Sequence, residues 1–262
     1  MARRHRVALD RLLVLVALAA AWQATNWAAG DYWVASLPDT VVGFWQSLRS
    51  GELLVHAGYT LKASAWGILI GGVPGIAAPF ALQRMPRLSA LLEPYLVAGY
   101  GVPKVAIAPL LIVLFGIDIE SKIAVVASAV FFIVLFSTRA GIQMQDARLV
   151  HMARIVGANR MQVGLLVTLP AAVPYILSGF RIAVPYAISS AVIAELISSN
   201  RGLGYLVQAN AMDFNTRGVF VALLAITILA VAANWLVSAL EAYLLRWRPA
   251  ASLGEGAHAA EG

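Results

Sequence analysis

Long apolar runs dominate the pattern of hydrophobic and polar positions along this chain. A helix that crosses a bilayer needs about 20 mostly apolar residues, and six runs approach or exceed that length. The pattern therefore predicts an all-α fold, a polytopic membrane helical bundle of about six transmembrane helices. The runs cover residues 12–21 with an extension to 27, then 59–82, 96–115, 123–137, 171–197 and 219–245.

The first apolar run has two interpretations. Arginines among the first 11 residues precede it, and alanines occupy positions 19–21, an arrangement that secretory signal peptides share. The apolar stretch continues to Trp27, however, and many further runs follow. We therefore favour an uncleaved first span, with residues 1–11 as a cytoplasmic N-terminus.

Glycines and prolines modify two of the predicted spans. Small residues let helices approach closely where lipid provides no hydrophobic drive for association, so the run 59–82 predicts a packed interior helix. Pro74 and Pro79 interrupt its backbone hydrogen bonds and predict a kink. Pro103 interrupts the run 96–115, so we expect that helix to start late or to be bent. The glycines of the packed helix are Gly67, Gly71, Gly72 and Gly75.

The composition excludes an ordinary soluble protein. Of the 262 residues, 61% are hydrophobic and only 12% are charged, against roughly 25% charged in soluble domains. The mean hydropathy is +0.80. A net charge of +6 would suggest nucleic acid in a soluble protein, but here the arginines lie at the ends of apolar runs, where they indicate membrane topology. We expect a lipid bilayer around the chain and no nucleic-acid partner.

Lysine and arginine positions predict the orientation, because cytoplasmic loops carry the excess of both. With the N-terminus inside, an even number of spans places both termini on the cytoplasmic side of a bacterial inner membrane. One membrane domain then covers residues 12–248, and residues 249–262 form a disordered cytoplasmic tail. The cytoplasmic set is Arg3, Arg4, Arg6, Arg11, Arg84, Arg87, Arg139, Arg148, Arg154, Arg160, Arg246 and Arg248; the opposite set is Arg49, Lys62, Lys122, Arg201 and Arg217.

The connection at residues 139–170 is the longest one on the cytoplasmic side, and its pattern predicts two short amphipathic helices. Gly157 is placed to end the first helix in the left-handed conformation. The second, residues 159–168, runs back to the membrane and is stopped by Pro170. Taken alone, such a pair is typical of helices that lie on lipid headgroups.

The spacing in this connection resembles a signature of the membrane subunits of binding-protein-dependent ATP-binding-cassette (ABC) importers. That signature reads Glu-Ala-Ala-x3-Gly-x9-Ile-x-Leu-Pro. The third, seventh, nineteenth and twentieth positions match in register, whereas His and Met replace the leading Glu-Ala. Residues 59–248 share the resemblance, and the runs 169–183, 194–197 and 202–206 are similar to the nitrate, sulfonate, taurine and bicarbonate branch. In this chain the signature reads His151-Met152-Ala153-x3-Gly157-x9-Val167-x-Leu169-Pro170.

The resemblance implies a type I-like importer fold in which residues 139–170 form the coupling loop that docks in a groove of the ATPase. Loss of the acidic residue at His151 removes one polar contact of that interface. The helix-in-groove shape, which depends on small and apolar residues, is retained. The candidate coupling residues are His151, Met152, Ala153, Arg154, Gly157, Ala158, Leu169 and Pro170.

The resemblance also implies partners. These are two ABC ATPase subunits, a periplasmic or extracellular solute-binding protein and a second permease subunit, for which a homodimer is the default. The chain lacks a glycine-rich loop ending in Lys-Ser or Lys-Thr. ATP and magnesium are therefore expected on the partner, this chain binds no cofactor directly, and it is no enzyme. Alternating access would carry a small solute such as a sulfonate, taurine or nitrate; the sequence does not choose among them.

Three charged residues inside the predicted spans are candidates for the translocation path or for a structural role. Arg181 and Glu195 are about 21 Å apart along a helix that rises ~1.5 Å per residue, so each needs another partner. For Arg181 we favour snorkelling or contact with the loop, and for Glu195 a helix cap or a hold on the segment 202–206. Lys104 is either an attractive charge in the path or an interfacial anchor.

Two other classes of function compete with the importer. An ion-coupled secondary transporter usually shows internal repeats and intramembrane carboxylates, and we see no convincing repeat. A membrane-embedded enzyme would need a converging catalytic set, which the sequence lacks. His5 and His56 are isolated and the chain has no cysteine, so we expect no metal site.

Overall fold

The computed structural model describes residues 2–246, with side chains from residue 9 onward. All regular structure in that range is helical, as predicted. The predicted tail, residues 249–262, lies outside the described residues. The helices are α1 (Ala2–Ala29), α2 (Leu37–Arg49), α3 (Glu52–Gln83), α4 (Pro86–Gly101), α5 (Ala108–Phe115), α6 (Ile119–Gln143), α7 (Ala147–Ile155), α8 (Arg160–Val163), α9 (Leu169–Ile197), α10 (Leu203–Met212) and α11 (Thr216–Leu244), with a 3₁₀ turn at Lys104–Ile107 and a π-helical segment at Gly164–Thr168.

The predicted number of spans is confirmed within the described part of the chain. Five helical runs are long and apolar enough to cross a membrane, and the count reaches six if the interrupted pair Pro86–Gly101 and Lys104–Phe115 is taken as one span. The interruption expected near Pro103 is present, but α4 begins at Pro86, ten residues before the predicted run. Helix α6 is also longer at both ends than the predicted run 123–137.

Two helices were not predicted, α2 and α10. Ser36 caps α2 by accepting a hydrogen bond from the backbone N–H of Asp39, and a proline lies in the first turn. Helix α10 follows Gly202, whose φ of 107° belongs to the conformation that favours glycine. Both helices are too short to form a membrane span. A prediction based on long apolar runs therefore does not detect them.

Packing divides the described helices into two groups. The first group comprises residues 2–66, 103–126 and 188–230. Its main apolar core joins Leu53 of α3, Leu206 of α10 and Val221 of α11. Arg217 adds a polar tie, because its Nε donates to the carbonyl of Asp39 at 3.0 Å. These contacts hold the short helices α2 and α10 against the long ones.

The second group comprises residues 67–102, 127–187 and 231–246. Its helices approach closely at glycines, as the small-residue pattern of α3 predicts. A Cβ on Gly71 would overlap the backbone of Ala127, and one on Gly75 would lie 3.0 Å from Cβ of Val134. Helix α3 continues through both of its prolines. The close approach of helix backbones therefore stabilises the packing of this group, because lipid supplies no hydrophobic driving force for helix association.

The prediction that Pro170 stops the second amphipathic helix is wrong. Helix α8 passes through the π-helical segment Gly164–Thr168 directly into α9, and the N–H of Leu169 donates to the carbonyl of Gly164, five residues back. A proline in an α-helix lacks an N–H and collides with the carbonyl four residues earlier. The wider π turn just before Pro170 accommodates it without ending the helix.

Candidate functional site

The connection between α6 and α9 folds as an exposed helix pair, which we define as α7, α8 and the turn between them (residues 147–163). Asp146 starts the pair, because its side chain accepts a hydrogen bond from the N–H of Arg148 at 2.8 Å. At the second helix, Asn159 and Gln162 form a reciprocal capping box, with both hydrogen bonds at 2.8 Å. Local sequence therefore specifies both helix starts.

Gly157 forms the turn between the two helices, as the sequence predicts. Its φ is 86°, its N–H donates to the carbonyl of Arg154, and the N–H of Ala158 donates to the carbonyl of Ala153, each at 3.0 Å. This is a Schellman turn with glycine at the left-handed position. A Cβ on Gly157 would meet no atom within 4 Å, so conformation and not space favours glycine here.

The exposed helix pair presents large apolar side chains to the outside of the chain. Ile155 is 71% exposed and Val156 is 83% exposed, and Met152 and Met161 are also mostly exposed. Contiguous exposed apolar surface typically marks a protein or membrane interaction site. The turn at Gly157 lies among these side chains, so the surface includes its backbone.

The predicted coupling residues fall into two places. His151, Met152, Ala153, Arg154, Gly157 and Ala158 lie on α7 and its turn, whereas Leu169 and Pro170 lie beyond the π-helical segment at the start of α9. A basic cavity of about 860 Å³ adjoins the pair, lined in part by Arg84, Arg154 and Arg160.

A second candidate site is a buried polar cluster around Glu195 in the first helix group. The Glu195 side chain is 0% exposed. One carboxylate oxygen, Oε2, accepts hydrogen bonds from the Thr60 hydroxyl at 3.0 Å and from the N–H of Gly204 at 2.9 Å. The other oxygen, Oε1, has no hydrogen-bond partner among the described residues. The expectation that Glu195 holds the 202–206 segment matches this geometry.

Side chains of the same cluster accept hydrogen bonds from the backbone N–H groups at the N-terminus of α10. The N–H of Gly202 donates to Nδ1 of His56 at 3.0 Å, and the N–H of Leu203 donates to the hydroxyl of Thr60 at 2.9 Å. With Glu195 on the N–H of Gly204, side chains accept from three successive backbone donors. A carboxylate at a helix N-terminus also matches the helix dipole. Glu195 therefore acts as a side-chain cap of α10.

Lys122 is a member of this cluster that the sequence analysis placed in an external loop. It lies in the first turn of α6 and is 0% exposed. Its ammonium group donates to the carbonyls of Ile117 and Ser198, each at 2.5 Å, so it lies in the same buried cluster as Glu195. Lys122 and Glu195 thus bind the two ends of the turn between α9 and α10, one at a carbonyl and one at an N–H.

Glycines make room for the cluster. A Cβ on Gly202 would overlap the carboxylate of Glu195, and one on Gly204 would overlap the carbonyl of Val192. The sequence carries a signal for part of this arrangement, because His56 and Thr60 are four residues apart and so share one face of α3. Lys122 could have been recognised as a charge within an apolar helix, which needs a partner.

The other candidate charges lie elsewhere. NH1 of Arg181 is 3.6 Å from a carboxylate oxygen of Glu241, and the Arg181 side chain is 58% exposed. Lys104 is half-buried in the 3₁₀ turn Lys104–Ile107. Within residues 9–246, where side chains are described, no three His, Asp or Glu side chains are grouped to hold a metal ion.

Comparison with known protein families decides the identity of the chain. Residues 67–246 match the family model of the binding-protein-dependent transport system inner membrane component. The chain belongs to this family. It is therefore a multi-pass inner-membrane permease subunit of an ABC importer, and a partner ATPase hydrolyses ATP.

Relatives of this permease cover nearly its whole length. The riboflavin transport system permease protein of Chloroflexus aurantiacus is 34% identical over 92% of this chain and 90% of the relative. The putative aliphatic sulfonates transport permease protein of Escherichia coli is 36% identical over 92% of each chain. The taurine transport system permease protein of Escherichia coli is 32% identical over 77% of this chain and 74% of the relative.

Solved structures support the fold of the permease. A chain of an amino acid ABC transporter crystallised with histidines superposes with a TM-score of 0.62 at 19% identity, over 78% of this chain and 97% of the other. A chain of the methionine ABC transporter in an inward-facing conformation gives a TM-score of 0.55 at 18% identity, over 80% of this chain and 96% of the other. The fold is therefore that of ABC importer permeases.

Proposed function

We propose that this permease forms, with a second copy of itself, the translocation path for a small organic or oxyanionic solute, and that the exposed helix pair couples the path to ATP hydrolysis. Two ATPase subunits bind ATP and magnesium, and an external solute-binding protein delivers the solute. Both termini lie in the cytoplasm.

The observation that carries the coupling role is the exposed apolar surface around Gly157. Met152, Ile155 and Val156 are mostly exposed, and the Schellman turn gives the surface one defined shape. A short helix with exposed apolar side chains fits a groove on a partner protein. His151 stands where the family signature has glutamate, so the docking rests more on shape and apolar contact than on an acidic side chain.

The distribution of charge supports the proposed orientation. Arg148, Arg154 and Arg160 belong to the exposed helix pair, and Arg84 lines the adjoining cavity. Cytoplasmic segments of membrane proteins carry such an excess of arginine. The same orientation places the turn between α10 and α11 on the opposite, external side, since one span separates it along the chain from the exposed helix pair.

The relatives support a small nutrient as the solute. Their names specify riboflavin, aliphatic sulfonates and taurine, which differ widely in size and charge. We propose a solute of the sulfonate and taurine class, since the runs 169–183, 194–197 and 202–206 are similar to that branch. Solute specificity in this arrangement lies largely in the separate binding protein.

A pull-down of tagged permease from native membranes tests the coupling role. Gly157→Trp adds a large side chain at a left-handed position in the centre of the docking surface. We expect normal membrane insertion, loss of the co-purifying ATPase and loss of ATP-driven transport. Normal transport by this variant would overturn the assignment.

Gly30→Trp is the matched control. Gly30 has a φ of 83°, and a Cβ added to it would, as at Gly157, meet no atom within 4 Å. It lies far along the chain from Gly157, between α1 and α2. A tryptophan at Gly30 meets the same backbone strain in a different connection of the chain. Retention of the ATPase by Gly30→Trp together with its loss from Gly157→Trp supports docking at the pair. If both variants lost the co-purifying ATPase equally, the cause would be backbone strain and not the position of Gly157.

A further inference from the structure

The basic cavity beside the exposed helix pair is separate from the surface proposed to dock the ATPase. Met152, Ile155 and Val156 form that surface, and none of them is among the residues that line the cavity. The cavity measures about 860 Å³ and lies between the end of α3 on one side and α7, α8 and the π-helical segment on the other. A ligand bound in it would therefore contact the end of α3 and the exposed helix pair at once.

The cavity carries positive charge that the described part of the chain does not neutralise. Arg84, Arg154 and Arg160 line it, and no aspartate or glutamate is among its lining residues. Within residues 9–246, the side chains of these three arginines form no hydrogen bond and no ion pair, whereas Arg139 and Arg181 each pair with a glutamate. A guanidinium group presents several N–H donors in a planar fork that matches the oxygens of a phosphate. The lining therefore favours an oxyanion.

Arg84 extends toward the wall of the cavity that Arg160 belongs to. Its NH2 atom lies 3.9 Å from the position that a Cβ on Gly164 would occupy. Gly164 begins the π-helical segment and lies about one turn after Arg160 along the chain. Positive charges brought together from two helices repel each other. An anion bound between Arg84 and Arg160 removes that repulsion.

The cavity lies at the ends of two membrane spans. The helical runs that are long and apolar enough to cross a membrane include Glu52–Gln83 and Arg160–Ile197. Arg84 directly follows the first of these runs, and Arg160 begins the second. Span ends lie where the hydrocarbon layer meets the lipid headgroups, and basic pockets between membrane helices at this level bind the head groups of anionic lipids.

The walls of the cavity become apolar in the direction of the membrane. Phe80 lies one turn before Arg84 on α3, and Val163 lies about one turn after Arg160; both line the cavity. One turn farther along, Leu166 is 73% exposed. A charged end that continues into an apolar wall matches an amphiphile, because a free phosphate has no apolar part to bury there.

We propose that this cavity binds the headgroup of an anionic phospholipid, with Arg84 and Arg160 donating to the phosphate oxygens. The acyl chains lie along Phe80 and Leu166, and Arg154 adds positive charge from the exposed helix pair. The bound lipid thereby links the end of α3 to the pair through its phosphate. Charge selects an anionic headgroup over a zwitterionic one. The site depends on the level of the span ends and not on the docking of the ATPase.

Native mass spectrometry of the permease–ATPase complex, extracted from native membranes, measures the bound lipid. Arg84→Gln removes one of the two phosphate ligands and lies outside the exposed helix pair. Arg87→Gln is the matched control, because Arg87 is also exposed, lies three residues away and does not line the cavity. We expect retained anionic phospholipid to fall about tenfold in Arg84→Gln and to be unchanged in Arg87→Gln. Equal retention by the two variants would overturn the site.

Titration of the delipidated complex in detergent distinguishes a lipid headgroup from a free oxyanion. The melting temperature is followed while phosphatidylglycerol, phosphatidylcholine or inorganic phosphate is added. We expect phosphatidylglycerol to raise it in the unsubstituted complex and in Arg87→Gln, with a much smaller rise in Arg84→Gln. Equal stabilisation by inorganic phosphate or by phosphatidylcholine would overturn the anionic lipid as occupant.

Retention of the ATPase separates this site from the proposed coupling role. We expect Arg84→Gln to keep the co-purifying ATPase. Its loss from Arg84→Gln but not from Arg87→Gln would overturn the lipid site, because the cavity would then belong to the ATPase interface. Absence of any ATPase from the unsubstituted permease would instead contradict the proposed function, and the bound lipid is still measurable on the permease alone.

Discussion

A carboxylate oxygen of Glu195 accepts a hydrogen bond from the N–H of Gly204 at 2.9 Å. This contact joins the last turn of α9 to the first turn of α10. Lys122 binds the carbonyl of Ser198 at the other end of the same turn. Two buried side chains, Glu195 and Lys122, therefore stabilise the termini of two successive helices, where backbone donors and acceptors would otherwise be unsatisfied.

Glu195→Gln is expected to reduce stability and assembly more than solute preference. Glutamine keeps an oxygen for the N–H of Gly204 but removes the negative charge opposite Lys122. We expect a loss of about 1–3 kcal/mol, the usual cost of a compromised buried polar group. The measurement is the melting temperature and yield of the detergent-solubilised permease. Altered solute preference at normal yield would instead indicate that Glu195 contacts the solute.

The double variant Lys122→Met with Glu195→Gln tests whether the two charges act together. Each single change leaves one buried charge without its counterpart, whereas the double change leaves none. The loss in the double variant should therefore be smaller than the sum of the single losses, by about 1 kcal/mol, within the range of coupled neighbours. Strict additivity would show that Lys122 and Glu195 stabilise the turn independently.

Gly202→Ala is expected to destabilise the first helix group strongly. Its φ is 107°, and an added Cβ would overlap the carboxylate of Glu195. Gly116→Ala provides the comparison, because Gly116 has a φ of 83° and a Cβ added to it would meet no atom within 4 Å. We expect about 1 kcal/mol of loss from the strain at Gly116 and several times that value at Gly202. Thermal unfolding of both variants gives the difference, and equal losses would contradict the steric argument.

The ion pair between Arg181 and Glu241 is expected to contribute little. The charged atoms are 3.6 Å apart and the arginine side chain is 58% exposed, conditions under which pairs typically give 0–1 kcal/mol. Arg181→Ala should leave the melting temperature and the transport KM almost unchanged. Transport kinetics in proteoliposomes give that comparison. A raised KM at normal expression would place Arg181 on the solute path.

The sequence predicts those features that depend on short segments. Apolar run length gives the spans, and Gly157 gives the turn of the exposed helix pair, because both follow from local chemistry. The partner of Lys122 could not be derived in this way, since Ser198 is 76 residues away. The bond between Thr60 and Glu195 spans 135 residues. Such contacts require the fold, so the sequence showed that Glu195 needs a partner without showing which one.

Helical continuity from α8 through the π-helical segment into α9 has a mechanical consequence. From Arg160 to Ala187 the helix extends ~42 Å at ~1.5 Å per residue, which exceeds the ~30 Å hydrocarbon thickness. An upright helix of this length is longer than the hydrocarbon layer is thick. Because no break in the helix separates α8 from α9, a displacement of the exposed helix pair reaches the span through one continuous helical backbone.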